Sequence, residues 1–175
     1  MEGFSEILQA ATAAVPAEYF LLPLHGADPI YRERVYCYEL YHQMRCLWPK
    51  ETAYRLNGEV DKRSHPYLQD EEQPEPDLLV HQPGMGDNFV AIEVKPAGAA
   101  TRDIRKDLST LALLAQRAGY HRLIYLIYGE GAEHDVERIG TCAAQVEGVS
   151  AIELWLHLAP GVPAGLADVL TDSRM

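Results

Sequence analysis

Pro76-Asp77-Leu78-Leu79-Val80-His81, then the turn-forming Gln82-Pro83-Gly84-Met85-Gly86-Asp87-Asn88, then Phe89-Val90-Ala91-Ile92-Glu93-Val94-Lys95-Pro96, is the stretch that decides how this chain folds. Two apolar runs joined by a Gly- and Pro-rich connection predict an antiparallel strand pair over 77–81 and 89–95. Side chains alternate across a strand, so Val90, Ile92 and Val94 face one side of the sheet, and Phe89, Ala91, Glu93 and Lys95 face the other. Glu93 and Lys95 then stand roughly 6–7 Å apart on one face. Folding back through the turn brings Asp77, at the start of one strand, beside Glu93 and Lys95 at the end of the next.

The elements outside this pair support a mixed sheet. Downstream, Pro96 and Gly98 stop the strand, and a helix over about 101–118 follows, with Ile104, Leu108, Leu111 and Ala115 at helical spacing and Gly119 to end it. Arg122-Leu123-Ile124-Tyr125-Leu126-Ile127-Tyr128 is apolar almost throughout, as expected of a central strand covered on both faces. A helix near 133–146 and a strand near 151–158 come next, and the Gly- and Pro-containing 160–165 leads into a loose or weakly helical tail. Upstream, 5–14 reads as a helix with Ser5 as its cap. Asp28-Pro29 reads as the cap and first-turn proline of a helix over 30–47, and 52–62 as a further strand. The order helix, three strands, helix, strand, helix, strand predicts an α/β fold with helices on both faces.

The chain has 175 residues, 47% hydrophobic and 23% charged, which suits one soluble domain over 1–175 with its core at about 30–158. No apolar run reaches the roughly 20 residues of a membrane span, and the opening Met1-Glu2-Gly3-Phe4 is unlike a signal peptide, so a cytoplasmic protein without membrane contact is expected. Three cysteines without CxxC spacing fit a reducing compartment and exclude a disulfide framework. The net charge of −11 runs against a broadly basic nucleic-acid surface, so any such contact has to use a local patch.

Two carboxylates held close repel one another and bind a hard cation well. Asp77 and Glu93 are such a pair, and a lysine beside them can steady charge developing on a phosphorus centre. Pro76-Asp77, a spacer, and Glu93-Val94-Lys95 resemble the signature of the PD-(D/E)xK, or restriction-endonuclease-like, nucleases. That superfamily's core of a helix, three strands, a helix and a strand resembles the reading of residues 30–128. The resemblance implies Mg²⁺, with Mn²⁺ as a substitute, held by Asp77 and Glu93. It adds Glu39 of the preceding helix and the Val94 carbonyl as further ligands, with Lys95 assisting a nucleophilic water. It implies DNA as substrate, and because two strands need two cuts, a homodimer or larger assembly.

Lesser signals concern contacts around that site. Arg102, Arg105 and Lys106 open the helix after the Glu93 strand and stand ready either for phosphates or, with Asp103 and Asp107 as partners, for solvent. Gln116 and Tyr120 have the QxxxY spacing of one branch of these nucleases, although Gly119 intervenes. Glu59 and Asp61, on the first strand, read as part of an exposed hairpin, with one of them as an alternative acid for the cluster. His42 and Cys46 read as a packed helix face rather than a zinc pair. The rival to a nuclease is an inactive module of the same fold that binds a protein partner.

Overall fold

A computed structural model describes residues 3–58 and 74–171. The helices are α1 (Phe4–Ala13), α2 (Ala17–Phe20), α3 (Glu33–Cys46), α4 (Thr101–Ala118) and α5 (Val136–Ala143). The strands are β1 (Leu22–Leu24), β2 (Ala27–Ile30), β3 (Arg55–Gly58), β4 (Leu78–Gln82), β5 (Asp87–Pro96), β6 (Arg122–Tyr128), β7 (Ile152–His157) and β8 (Gly165–Leu170). β3 to β8 form one six-stranded sheet in chain order, and β1 and β2 form a separate hairpin. The strands β3, β4 and β5 run as an antiparallel meander, β5, β6 and β7 are parallel, and β8 returns antiparallel. Helices α4 and α5 supply the right-sized crossovers that parallel strands need.

The sheet is covered on both faces, as its apolar central strand requires. Val90, Ile92 and Val94 of β5 and Ile124, Leu126 and Tyr128 of β6 pack into one core with Phe4 and Leu8 of α1 and Tyr36, Leu40 and Met44 of α3. Ala91, Leu123, Tyr125 and Ile127 pack into the other core with Ile104, Leu108 and Leu111 of α4 and Ile139 of α5. Among the described residues no helix is long and apolar enough to cross a membrane.

Several boundaries differ from the sequence reading. Asp28-Pro29 does not start a helix: both lie in β2, which pairs with β1 across a two-residue turn where Gly26 takes φ 74°. Pro29 is tolerated there because the hairpin is an exposed edge. Helix α3 begins only at Glu33, an acid in the first turn where the helix dipole favours it. Ser5 is not a cap, since α1 starts at Phe4 after Gly3. The expected helix near 133–146 is a 3₁₀ turn, Ala132–Asp135, followed by α5. The tail is neither loose nor helical, because Gly165–Leu170 is the strand β8. Phe89 faces the opposite side from Glu93. The register jumps from Val80↔Val90 to His81↔Asn88, leaving Phe89 as a bulged residue that packs edge-on against Phe4 at 6.0 Å. His42 and Cys46 are exposed and touch each other at 3.7 Å instead of packing.

Candidate active site

The polar end of β5 is built by three elements that converge from both faces of the sheet. The register runs Leu79↔Ala91 and Leu78↔Ile92, so one more step sets Asp77 opposite Glu93. Strand pairing stops there because the Asp77 side chain takes over: the Val94 N–H donates to Asp77 Oδ2 at 2.7 Å. Asp77 therefore both ends the ladder and turns its carboxyl toward Glu93, to which it is hydrogen-bonded. Glu93 is only 5% exposed. The structure thus brings Asp77, Glu93 and Lys95 together, as the strand parity predicts.

Lys95 does not float beside the pair. Its Nζ lies 2.9 Å from Glu33 Oε2 and 3.3 Å from Asp107 Oδ2. Glu33 comes from α3 on one face of the sheet and Asp107 from α4 on the other, so the ammonium is gripped from two sides. Asp107 is 4% exposed, and among the described residues its Oδ2 has no hydrogen-bond partner beyond that ion-pair approach. Tyr125 faces Glu93 across the β5–β6 register and is fully buried, and its hydroxyl also lacks a partner among the described residues.

Burial dominates the electrostatics. It pushes Asp77 up to about 6, against the opposing pull of the Val94 N–H and Lys95. It pushes Asp107 up to about 6, with Lys95 opposing. Glu93 rises well above the usual carboxylate range, first through burial and then through repulsion by Asp77 and Asp107. Burial alone would lower Lys95, but the Asp107 and Glu33 carboxylates outweigh it and hold the ammonium charged. Among the described residues four carboxylates thus face one lysine, and burial with mutual repulsion raises the proton affinity of the acids.

Glu39 is not brought into this group. It sits six residues along α3 from Glu33, about 120° around the helix, and accepts a hydrogen bond from Gln43 Nε2 at 2.6 Å. Glu33 is the α3 acid that reaches the cluster, whereas the resemblance points to Glu39. Val94 lies where expected, its side chain in the core beneath α3. Arg102 is 93% exposed and 3.6 Å from Asp103. Arg105 donates to Gln145 and is exposed, as is Lys106. Gln116 lies near the far end of α4 and donates to the Gly148 carbonyl at 3.3 Å, so it does not join the site. Tyr120 is buried in the α4-side core. Glu59 and Asp61 fall outside the described residues. Asp107, which one of the two readings of this helix puts on a solvated face, is buried. Its spacing carried the signal: it is three residues after Ile104 and four before Leu111, on the apolar stripe itself.

The loop between β5 and α4 is fixed rather than slack. Gly98 N–H donates to Asp135 Oδ2 at 2.7 Å, and Arg138 donates to the Ala99 carbonyl at 2.5 Å and to Asp135 Oδ1 at 2.6 Å. These bonds set where α4 begins and hence where Asp107 meets Lys95.

Among the described residues no three His, Cys, Asp or Glu side chains stand together in a ligating arrangement. The donor set is two adjacent carboxylates, and a hard cation that keeps several waters fits a set of one or two carboxylates. No model of a known protein family matches the chain, and neither the curated proteins nor the solved structures contain a match.

Proposed function

We propose that the chain is a Mg²⁺-dependent phosphodiesterase acting on DNA, with a PD-(D/E)xK-type site at Asp77, Glu93 and Lys95 in a restriction-endonuclease-like fold. One observation carries the proposal: among the described residues, Asp77 and Glu93 are buried against each other with the Lys95 ammonium as the one positive charge beside them. A cation is the chemical remedy for that imbalance, and Mn²⁺ serves as its substitute. The element order α3, β3, β4, β5, α4, β6 agrees with the core that the resemblance implies. Residues Arg102, Arg105 and Lys106 lie exposed on the first turns of α4, where the backbone of a nucleic acid near β5 would meet them.

In this reading Asp77 and Glu93 hold the ion. When bound, the ion polarises the phosphodiester and lowers the pKa of a water in its shell. Lys95, kept protonated by Glu33 and Asp107, lends positive charge to the phosphoryl oxygens as the phosphorus becomes five-coordinate. The Val94 N–H holds the Asp77 carboxylate in place. The packed walls of β5, β6 and α4 exclude bulk water from the inner side of the acids and so strengthen each of these charges.

The test is cleavage of supercoiled plasmid and of single-stranded DNA with Mg²⁺ or Mn²⁺, comparing the wild type with Lys95→Ala. Metal-dependent nicking that disappears in the variant supports the proposal. A wild type that cuts neither substrate, or a variant as active as the wild type, overturns it.

A specific feature favours a second reading, a catalytically inactive module of the same fold that binds a protein partner. A cavity of about 710 Å³, largely apolar, is lined by Phe20, Leu21, Pro23, Pro29, Tyr31 and Leu158. Calorimetry separates the two readings, since a module of this kind takes up neither Mg²⁺ nor Mn²⁺.

A further inference from the structure

Asp107 is in a costly place. It interrupts the apolar stripe of α4 between Ile104, Leu108 and Leu111, all of them buried. A neutral residue of the same shape would avoid the desolvation of a carboxylate there. What the acid gains in return is one contact, the Lys95 ammonium at 3.3 Å. Glu33 meets the same ammonium at 2.9 Å from the opposite side of the sheet. The tie of Gly98 and Ala99 to Asp135 and Arg138 fixes the launch of α4, so this contact does not depend on a slack loop. Lys95 ends a flexible four-carbon stem that nothing on its own strand would hold.

We propose that Asp107 is a positioning residue for Lys95, working with Glu33 to fix the ammonium beside Asp77 and Glu93. This rests on the reading of Asp77 and Glu93 as the reacting centre. Asp107 touches no reacting atom in this arrangement; it acts through the lysine. The site is therefore assembled by two helices from opposite faces and not by the β4–β5 hairpin alone. Tyr125 adds a buried wall on the same side, its hydroxyl without a hydrogen-bond partner among the described residues.

The experiment labels the native, metal-free protein with acetyl-N-hydroxysuccinimide and follows each lysine by mass spectrometry, with the exposed Lys50 as internal reference. In the wild type Lys95 is expected to react about tenfold or more slowly than Lys50. In Asp107→Asn its rate is expected to rise about tenfold, the ratio that corresponds to losing an ion pair of about 1.4 kcal/mol. Asp107→Glu, which keeps the charge, restores the protection in part. Glu33→Gln tests the other arm and should show a smaller rise, because Glu33 is more exposed. Melting of Asp107→Asn at or above the wild-type temperature excludes unfolding as the cause. On cleavage, Asp107→Asn should lower kcat about tenfold with KM nearly unchanged. An unchanged Lys95 rate in folded Asp107→Asn overturns the positioning role, whatever the activity. A raised Lys95 rate in a protein whose wild type never cuts DNA sinks the nuclease reading and leaves the positioning role standing.

Discussion

Two ion-pair clusters sit at opposite ends of the same parallel strands, and they are built to different rules. At the start of β6, Arg122 forms a fork to Glu153, with Nε and a second guanidinium nitrogen at 2.6 and 2.7 Å from the two carboxylate oxygens. Ser5 Oγ takes a further Arg122 hydrogen at 2.8 Å, and Trp155 Nε1 donates to Glu153 at 2.8 Å. The guanidinium also lies over the rings of Phe4 and Trp155, at 5.4 and 5.9 Å. Charge there is balanced one to one, and although burial would raise Glu153, Arg122 and Trp155 pull it below its ordinary value. At the end of β5 the count among the described residues is four acids to one lysine, and Asp107 Oδ2 and the Tyr125 hydroxyl find no hydrogen-bond partner there. The first cluster ties α1 to the sheet. The second carries an imbalance that the folded chain does not correct by itself, and such places are where functional sites concentrate.

The largest expected effect separates the clusters by activity. Glu93→Gln should lower metal-dependent cleavage about 10³-fold, the order seen when a group stabilising a developing charge is removed, measured as the rate of plasmid nicking. Arg122→Ala should leave that rate within a few-fold once the protein is folded. If the two variants lose activity alike, the division of labour between the clusters is wrong.

Stability should respond the other way. Arg122→Ala leaves Glu153 without its partner and strands the Ser5 and ring contacts, so urea unfolding should show a loss of about 2–3 kcal/mol. Glu93→Gln in the metal-free protein should be neutral or stabilising at pH 8, because it removes a buried charge. A large loss there would mean that the acid pair is structural.

The pH dependence of the metal-free protein sharpens the contrast. Asp77 is raised from 3.8 to about 6, so the folded state holds a proton that the unfolded chain releases. Its favourable contribution is complete below about pH 4 and is lost as the pH rises through about 6, an effect of about 3 kcal/mol at most. Asp107 shifts in the same direction. Glu153 has the opposite sign: its contribution is present above its ordinary pKa and fades only in acid. Urea midpoints for wild type and Asp77→Asn from pH 4 to 8 should therefore converge toward the acid end and part above pH 6.

The smallest effect is the metal response. Mg²⁺ should raise the melting temperature by a few degrees at pH 7.5 and scarcely at pH 5, where protons compete for the same oxygens. Arg122→Ala should keep that response and Asp77→Asn should lose it.

The central pattern was legible in the chain because a strand's side-chain period is two. Parity alone paired Glu93 with Lys95 and opposed Asp77 to them, and the apolar run 122–128 announced a covered central strand. What failed depended on backbone geometry without a period: the β1–β2 hairpin that claimed Pro29, the bulge that turned Phe89 over, and the strand β8 formed from a Gly- and Pro-flanked tail. The α3 acid is assigned to Glu39 by the resemblance alone, whereas Glu33, six residues earlier, is the one that meets Lys95, and no local pattern in the sequence separates the two.

By itself, then, the sequence determined which residues share the polar end of β5, because alternation along a strand is local and admits one answer. Only the tertiary structure decided what surrounds them. Whether Asp107 meets solvent or Lys95, and whether Glu33 or Glu39 reaches the sheet, depends on how two helices lie against opposite faces. That placement is set by packing across the whole core, which no local pattern encodes.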